Sequence, residues 1–235
     1  MNKISKIKRM YLLTFLFTLH ISIPSYISST FLTGVINEKY IGILYTLASF
    51  LTLSLLIKSS IILKNFGNRR LTLSFLIINM ISLVGLVTSN NPFIIGTSFI
   101  LFTTTNTLVL FCIDIFIEHF GNPKSIGKTR GIYLTIVNIA WMLSPLIAVT
   151  LINKEGGYKA IFMLAFIMVV LTSIGLVFAV KTFKDKTYVK TPFLKTYKFL
   201  KTNPHIFSIV MINFLLQFFF AWMVVYTHIY LYNHL

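Results

Sequence analysis

Acidic side chains are nearly missing from this chain: five Asp and Glu stand against twenty-one Lys and Arg in 235 residues, for a formal net charge of +16. An enzyme embedded in a membrane normally clusters histidines or carboxylates at one membrane face. Only Asp114, Glu118 and His119 form such a group, and they make a poor active site beside so many cations. Cysteine is scarcer still. Cys112, the single one, lies inside an apolar run and rules out an intrachain disulfide. Also missing are H-E-x-x-H, a phosphate-cradling G-x-x-x-x-G-K-S/T, a Cys/His metal cluster and a nucleophile elbow. The expectation is a protein that is not an enzyme and holds no cofactor or metal.

Polar residues are too few for water. At 56% hydrophobic residues and a mean hydropathy of +0.84, a soluble domain of this length could not cover its apolar surface, so the solvent is lipid. A pI near 10 would suit nucleic acid. The cations, however, sit in short connections between apolar runs, as in cytoplasmic membrane loops, so nucleic acid is not an expected partner. The basic N-terminus (Lys3, Lys6, Lys8, Arg9) has the outline of a signal peptide. The apolar run that follows is too long for one and has no A-x-A site, so it stays as a membrane helix.

Seven runs can span a hydrocarbon layer of roughly 30 Å at about 1.5 Å per residue. They lie at 10–33, 40–63, 71–89, 93–117, 131–152, 158–180 and 205–231. Asn91-Pro92 and Asn203-Pro204 each put an N-cap residue before a proline at the first helical position. Asn122-Pro123 and Gly156-Gly157 mark further turns. With the N-terminus inside, the inner segments hold four Lys and Arg before the first run, four around 58–70, three at 124–130 and seven at 181–201. The outer ones hold Lys39, Lys154 and Lys159. Eighteen against three puts the N-terminus in the cytoplasm. The fold class is an all-α polytopic membrane protein.

The segment 181–204 breaks the pattern of short loops. Thr191-Pro192 can open a short helix with Phe193, Tyr197 and Leu200 opposite Lys195, Lys198 and Lys201, resting on anionic lipid of the inner leaflet. It reads as a flexible joint between two bundles or as a solvated basic loop, since both follow from the same physics.

The turn from Ser60 to Arg70 carries the strongest motif. Gly67 can take a left-handed conformation, Asn65 and Asn68 suit a tight turn, and Lys64, Arg69 and Arg70 hold it at a membrane surface. It resembles the G-x-x-x-D-R/K-x-G-R/K-R/K loop of the major facilitator superfamily. Gly67, Arg69 and Arg70 match, while Ser60 stands in place of the first Gly and Lys64 in place of the Asp. Arg130-Gly131, Gly157-Tyr158-Lys159-Ala160-Ile161-Phe162 and Val225–Leu231, with His228 where a proline often stands, are similar to the family's fifth, sixth and seventh helices. The G-x-basic pattern recurs at Gly67-Asn68-Arg69 and Gly157-Tyr158-Lys159, a faint echo of inverted three-helix repeats. The resemblance implies a six-helix bundle over 1–180, a basic linker over 181–204 and, over 205–235, the first helix of a second, incomplete bundle. The expected whole is truncated relative to the twelve-helix fold: a fragment, or a truncated gene.

The first run carries hydroxyls on one helical face at Thr14, Thr18, Ser22, Ser25 and Ser29. They read as a wall of the solute cavity or as small residues bonded back to their own carbonyls. Pro24 is expected to kink the run. His20 and Tyr26 lie near the bilayer centre, where a titratable group needs a cavity or a partner. The reading leaves open a solute ligand, a proton relay and a neutral packed histidine for His20. Asn106, Asn138, Asn213 and Gln217 complete the cavity candidates, with Thr103, Thr104, Thr105 and Trp222 beside them. Proton symporters of the family often have a carboxylate in the first helix and an arginine motif in the fourth; both are missing, which weakens a proton-coupling reading.

Asp114 and Glu118 share one face at the end of the fourth run, with Arg69, Arg70, Lys124, Lys128 and Arg130 as natural partners. The resemblance implies an inner charge cluster that gates; the alternative is two solvated carboxylates contributing little. Ala140, Ser144 and Ala148 form a small-residue ladder at spacing four that Pro145 bends; with Ala140 and Ser144 in place of both glycines it is similar to the family's antiporter motif, which tilts the reading towards efflux. Expected partners are a small-molecule solute, anionic lipid at the cytoplasmic face of a plasma membrane, and the missing C-terminal half or a second copy. A non-transporting scaffold or receptor is the alternative class, with a membrane-bound enzyme behind it.

Overall fold

The computed structural model of the chain describes residues 3–152, 157–181, 183, 185, 188 and 199–223. The first run is two helices, α1 (Lys3–Ser25) and α2 (Ser28–Thr33). Pro24 has no N–H for the His20 carbonyl, and the helix stops one residue later. The Pro24 carbonyl instead takes the Ile27 N–H at 3.0 Å and the Ser28 hydroxyl at 2.7 Å. The expected kink is thus a break. The second run divides at Lys58 into α3 (Ile41–Ile57) and α4 (Ser59–Phe66). Then come α5 (Asn68–Thr88), α6 (Pro92–Phe120), α7 (Ile126–Ile152), α8 (Gly157–Ala179) and α9 (Pro204–Trp222). α7 starts five residues earlier than expected and so takes in Lys128 and Arg130.

Asn91 caps α6 as anticipated, its side chain accepting from the Phe93 N–H at 2.9 Å. Asn203 does not cap α9 with its side chain; its amide donates backwards to the Phe199 carbonyl at 2.9 Å. The short helix expected after Thr191 and the motif at Val225–Leu231 lie outside the described residues.

Five described segments are long and apolar enough to cross a membrane: Glu38–Ile57, Asn68–Thr88, Pro92–Phe120, Ile126–Ile152 and Gly157–Ala179. α1, broken after Ser25, and α9, apolar over Pro204–Phe220, fall outside that measure. Large apolar side chains cover the outside. Phe50, Met142, Leu146 and Phe178 are each about 70% exposed, a surface that lipid solvates and water would aggregate. The side chains of α9 from Pro204 to Phe220 are exposed on all sides.

α1 runs through the middle, burying Leu13, Phe17, Leu19 and Ile23 against the other helices. It packs on α7 and α8, while α6 packs on α3 and α5. α1 also meets α6, and α5 meets α8. Exchanging runs one, two and three for four, five and six maps this pairing onto itself, so the bundle is built from two three-run repeats. Two glycines mark the symmetry. A Cβ on Gly85 of α5 would collide with Ser98 of α6, and one on Gly175 of α8 with Leu13 of α1. Each glycine lets the third helix of one repeat close on the first helix of the other.

The G-x-basic echo is also physical. Gly67 and Gly157 are the two positive-φ residues among those described, at +74° and +52°. Arg69, at the start of α5, donates to the Lys181 carbonyl past the end of α8 at 3.4 Å. Lys159, at the start of α8, donates to Asn90 past the end of α5 at 3.4 Å. α5 and α8 therefore lie antiparallel, each pinned at its start to the other's finish.

Candidate functional site

One end of the bundle collects the cation-rich segments. Lys6 of α1 lies 5.7 Å from the Phe120 ring centre at the end of α6, and the Tyr11 hydroxyl donates to the Thr129 carbonyl in α7 at 3.3 Å. Here Arg130 of α7 spans two carboxylates of α6, Asp114 at 3.4 Å and Glu118 at 3.6 Å. All three side chains are a third or more exposed, so the pairs hold little folding energy, about 0–1 kcal/mol. α6 and α7 otherwise touch sparingly. A weak, exposed bridge between two lightly packed helices suits a contact that is made and broken. Ile117, Gly121, Ile126 and Thr129 line the small cleft beside it. Of the other expected partners, Arg69 goes to the Lys181 carbonyl, and Arg70, Lys124 and Lys128 point outward.

The middle of the bundle holds a buried polar chain. Nδ1 of His20 donates to the Ala165 carbonyl of α8 at 2.9 Å, and Nε2 lies 3.2 Å from the side-chain oxygen of Asn106 in α6. Asn79 of α5 donates to that same oxygen at 2.7 Å and to the Thr105 hydroxyl at 2.9 Å. Phe17 and Phe102 pack their rings against the imidazole. Four helices are thereby tied at the point where the two repeats meet. The Ala165 carbonyl fixes a proton on Nδ1, so a neutral ring accepts at Nε2 once the Asn106 and Asn79 amides turn over together.

The remaining cavity candidates scatter. Ser22 is buried and meets Ser144 of α7 hydroxyl to hydroxyl. Tyr26 is half-buried against Trp141, its hydroxyl 3.5 Å from the Trp141 carbonyl. Asn138, Asn213 and Gln217 are exposed. The hydroxyl stripe bonds backwards: Thr14 to Met10, Thr18 to Thr14, Ser22 to Thr18 and Ser25 to Ile21, at 2.7–2.8 Å. Ser29 is buried, and its hydroxyl has no partner. Ala140, Ser144 and Ala148 are buried, with Ser144 bonded both to Ala140 and across to α1, while Pro145 sits inside α7. The ladder is a packing seam between α7 and α1.

The sequence reading passed over two residues. Asn79 is a lone amide in an apolar run, a position that demands a partner and so could have been flagged. Asp185 is the one acid in a strongly basic segment. Its carboxylate accepts the Asn68 N–H at 2.6 Å, capping α5, which has no side-chain cap of its own, and takes the Tyr188 hydroxyl at 3.0 Å. Burial and that neighbouring carboxylate push the Tyr188 phenol above its ordinary value. Among the described residues no cluster of His, Cys, Asp and Glu could hold a metal.

Lipid-length helices in two exchangeable triplets define a polytopic helical membrane protein. The family model described as Major Facilitator Superfamily matches residues 10–235, nearly the whole chain. The chain belongs to that superfamily and is a membrane transporter, as the turn at Gly67-Asn68-Arg69-Arg70 implied. Comparison with curated proteins returned no match.

Proposed function

We propose that the chain moves a small organic solute across the plasma membrane by alternating access, with efflux the preferred direction. The observation that carries this reading is the Arg130 fork over Asp114 and Glu118. It joins α6, the first helix of the second triplet, to the lightly packed α7 through exposed ion pairs, and costs little to open. The N-terminus is cytoplasmic, and the cation-rich end faces anionic lipid. The chain is organised as a bundle over 1–180, a linker over 181–204 and the start of a second bundle over 205–235. His20, Ser22, Tyr26, Asn106, Asn138, Asn213 and Gln217 are the proposed solute-path residues. Pro145, with Gly67 and Ser144, serves the conformational change.

The test is flux of a panel of small organic dyes by the purified chain in liposomes, beside Asp114→Asn. The expected result is protein-dependent flux that Asp114→Asn changes several-fold while insertion is unaffected. Absence of flux for every dye would favour a scaffold or receptor. Flux indifferent to Asp114→Asn would remove the charge cluster from the mechanism.

A further inference from the structure

Three described residues after α8 dock on the bundle through their side chains. Phe183 is nearly buried, its ring 4.7 Å from those of Phe116 and His119 and 6.1 Å from that of Phe120, all on α6. Asp185 caps α5 through the Asn68 N–H. Tyr188 bonds Asp185 and packs on Leu63, Leu71 and Cys112. Gly67 leaves the room: a Cβ there would lie 2.5 Å from the Asp185 carboxylate. The Asn68 side chain donates to the Cys112 carbonyl at 3.0 Å, so Cys112 lies level with this cap and beneath Tyr188. Phe183 sits on the same last turn of α6 that carries Glu118.

We propose that Asp185 is a positioning residue for the gate. It latches Phe183, Asp185 and Tyr188, the strap, over the α5 start and the gate-bearing end of α6, where Tyr188 covers Cys112, and lets go when that end opens. A carboxylate at the first amides of a helix gains both the hydrogen bonds and the helix dipole, so this single anion holds the strap at a point where every other nearby side chain in the turn is basic or neutral. The docking stands on its own geometry; its release with the gate rests on the transport reading.

Cys112, the sole cysteine, reports on the strap. The measurement is the rate of N-ethylmaleimide labelling of the purified chain, with helical content followed in parallel. Asp185→Ala is expected to raise the rate about three- to thirtyfold, the equilibrium change that loss of a helix cap produces, with Asp185→Glu restoring most of the protection. Tyr188→Phe, which removes one hydroxyl and leaves the bundle core alone, is expected to raise it about two- to tenfold. Wild-type rates in Asp185→Ala and Tyr188→Phe would overturn the latch. Arg130→Ala breaks the ion pairs without touching the strap. Faster labelling there supports coupling to the gate, and an unchanged rate overturns the coupling even if dyes are transported.

Discussion

His20 shows what a single residue costs and gains inside this bundle. Its ring joins the Ala165 carbonyl and the Asn106 amide, and Asn106 in turn holds Asn79. A polar group stripped of its partner away from water costs about 1–3 kcal/mol. In a membrane the unfolded reference also finds partners, which brings measured values nearer 0.6 kcal/mol. We expect His20→Leu to destabilise the chain by about 1 kcal/mol in detergent melts. Adding Asn79→Leu should cost little more, because the chain of amides is already broken. Full additivity of the two would show that the residues act separately. The position of a histidine in an apolar run was legible as a demand for a partner. The partner was not, since Asn106 lies on a different helix 86 residues away.

At the scale of elements, the decisive contacts are the close approaches of the third helix in each repeat. Gly175 faces Leu13 and Gly85 faces Ser98 with no space for a Cβ. Gly127, at the start of α7, has nothing within 4 Å. Gly175→Leu and Gly85→Leu should each destabilise by about 1–3 kcal/mol through overpacking. Gly127→Leu should stay within about 0.5 kcal/mol, as substitutions away from packed sites do. Melting temperatures in one detergent compare all three; a loss at Gly127 equal to that at Gly175 would mean that helix approach is not the cause. The small-residue ladder of α7 was readable from its spacing of four. That Gly175 rather than Gly34 or Gly131 sits in a tight seam was not, because spacing tells which residues share a face and not which face meets a neighbour.

For the whole molecule, the two ends differ in charge and in mechanics. The segments with most Lys and Arg converge through Lys6, Tyr11, Arg69 and Arg130 on one end, and Lys159 meets Asn90 at the other. If that first end is cytoplasmic, Lys39→Cys in intact cells labels with an impermeant maleimide, and Lys124→Cys labels only after permeabilisation. The reverse pattern would invert the topology. The sequence by itself determined the solvent, the apolar runs that became the five long spans, the charge asymmetry and the superfamily, because hydropathy and charge placement are local quantities that lipid reads directly. It also brought Asp114, Glu118 and Arg130 into view, since neighbours along one helix end and the following turn are close whatever the fold. Only the tertiary structure decided that four of the five stripe hydroxyls are spent on their own backbone, that His20, Asn106 and Asn79 form one chain, and that Asp185 caps α5 from 117 residues away. Those pairings depend on how helices distant in sequence are turned towards one another, and that is set by packing of the whole bundle.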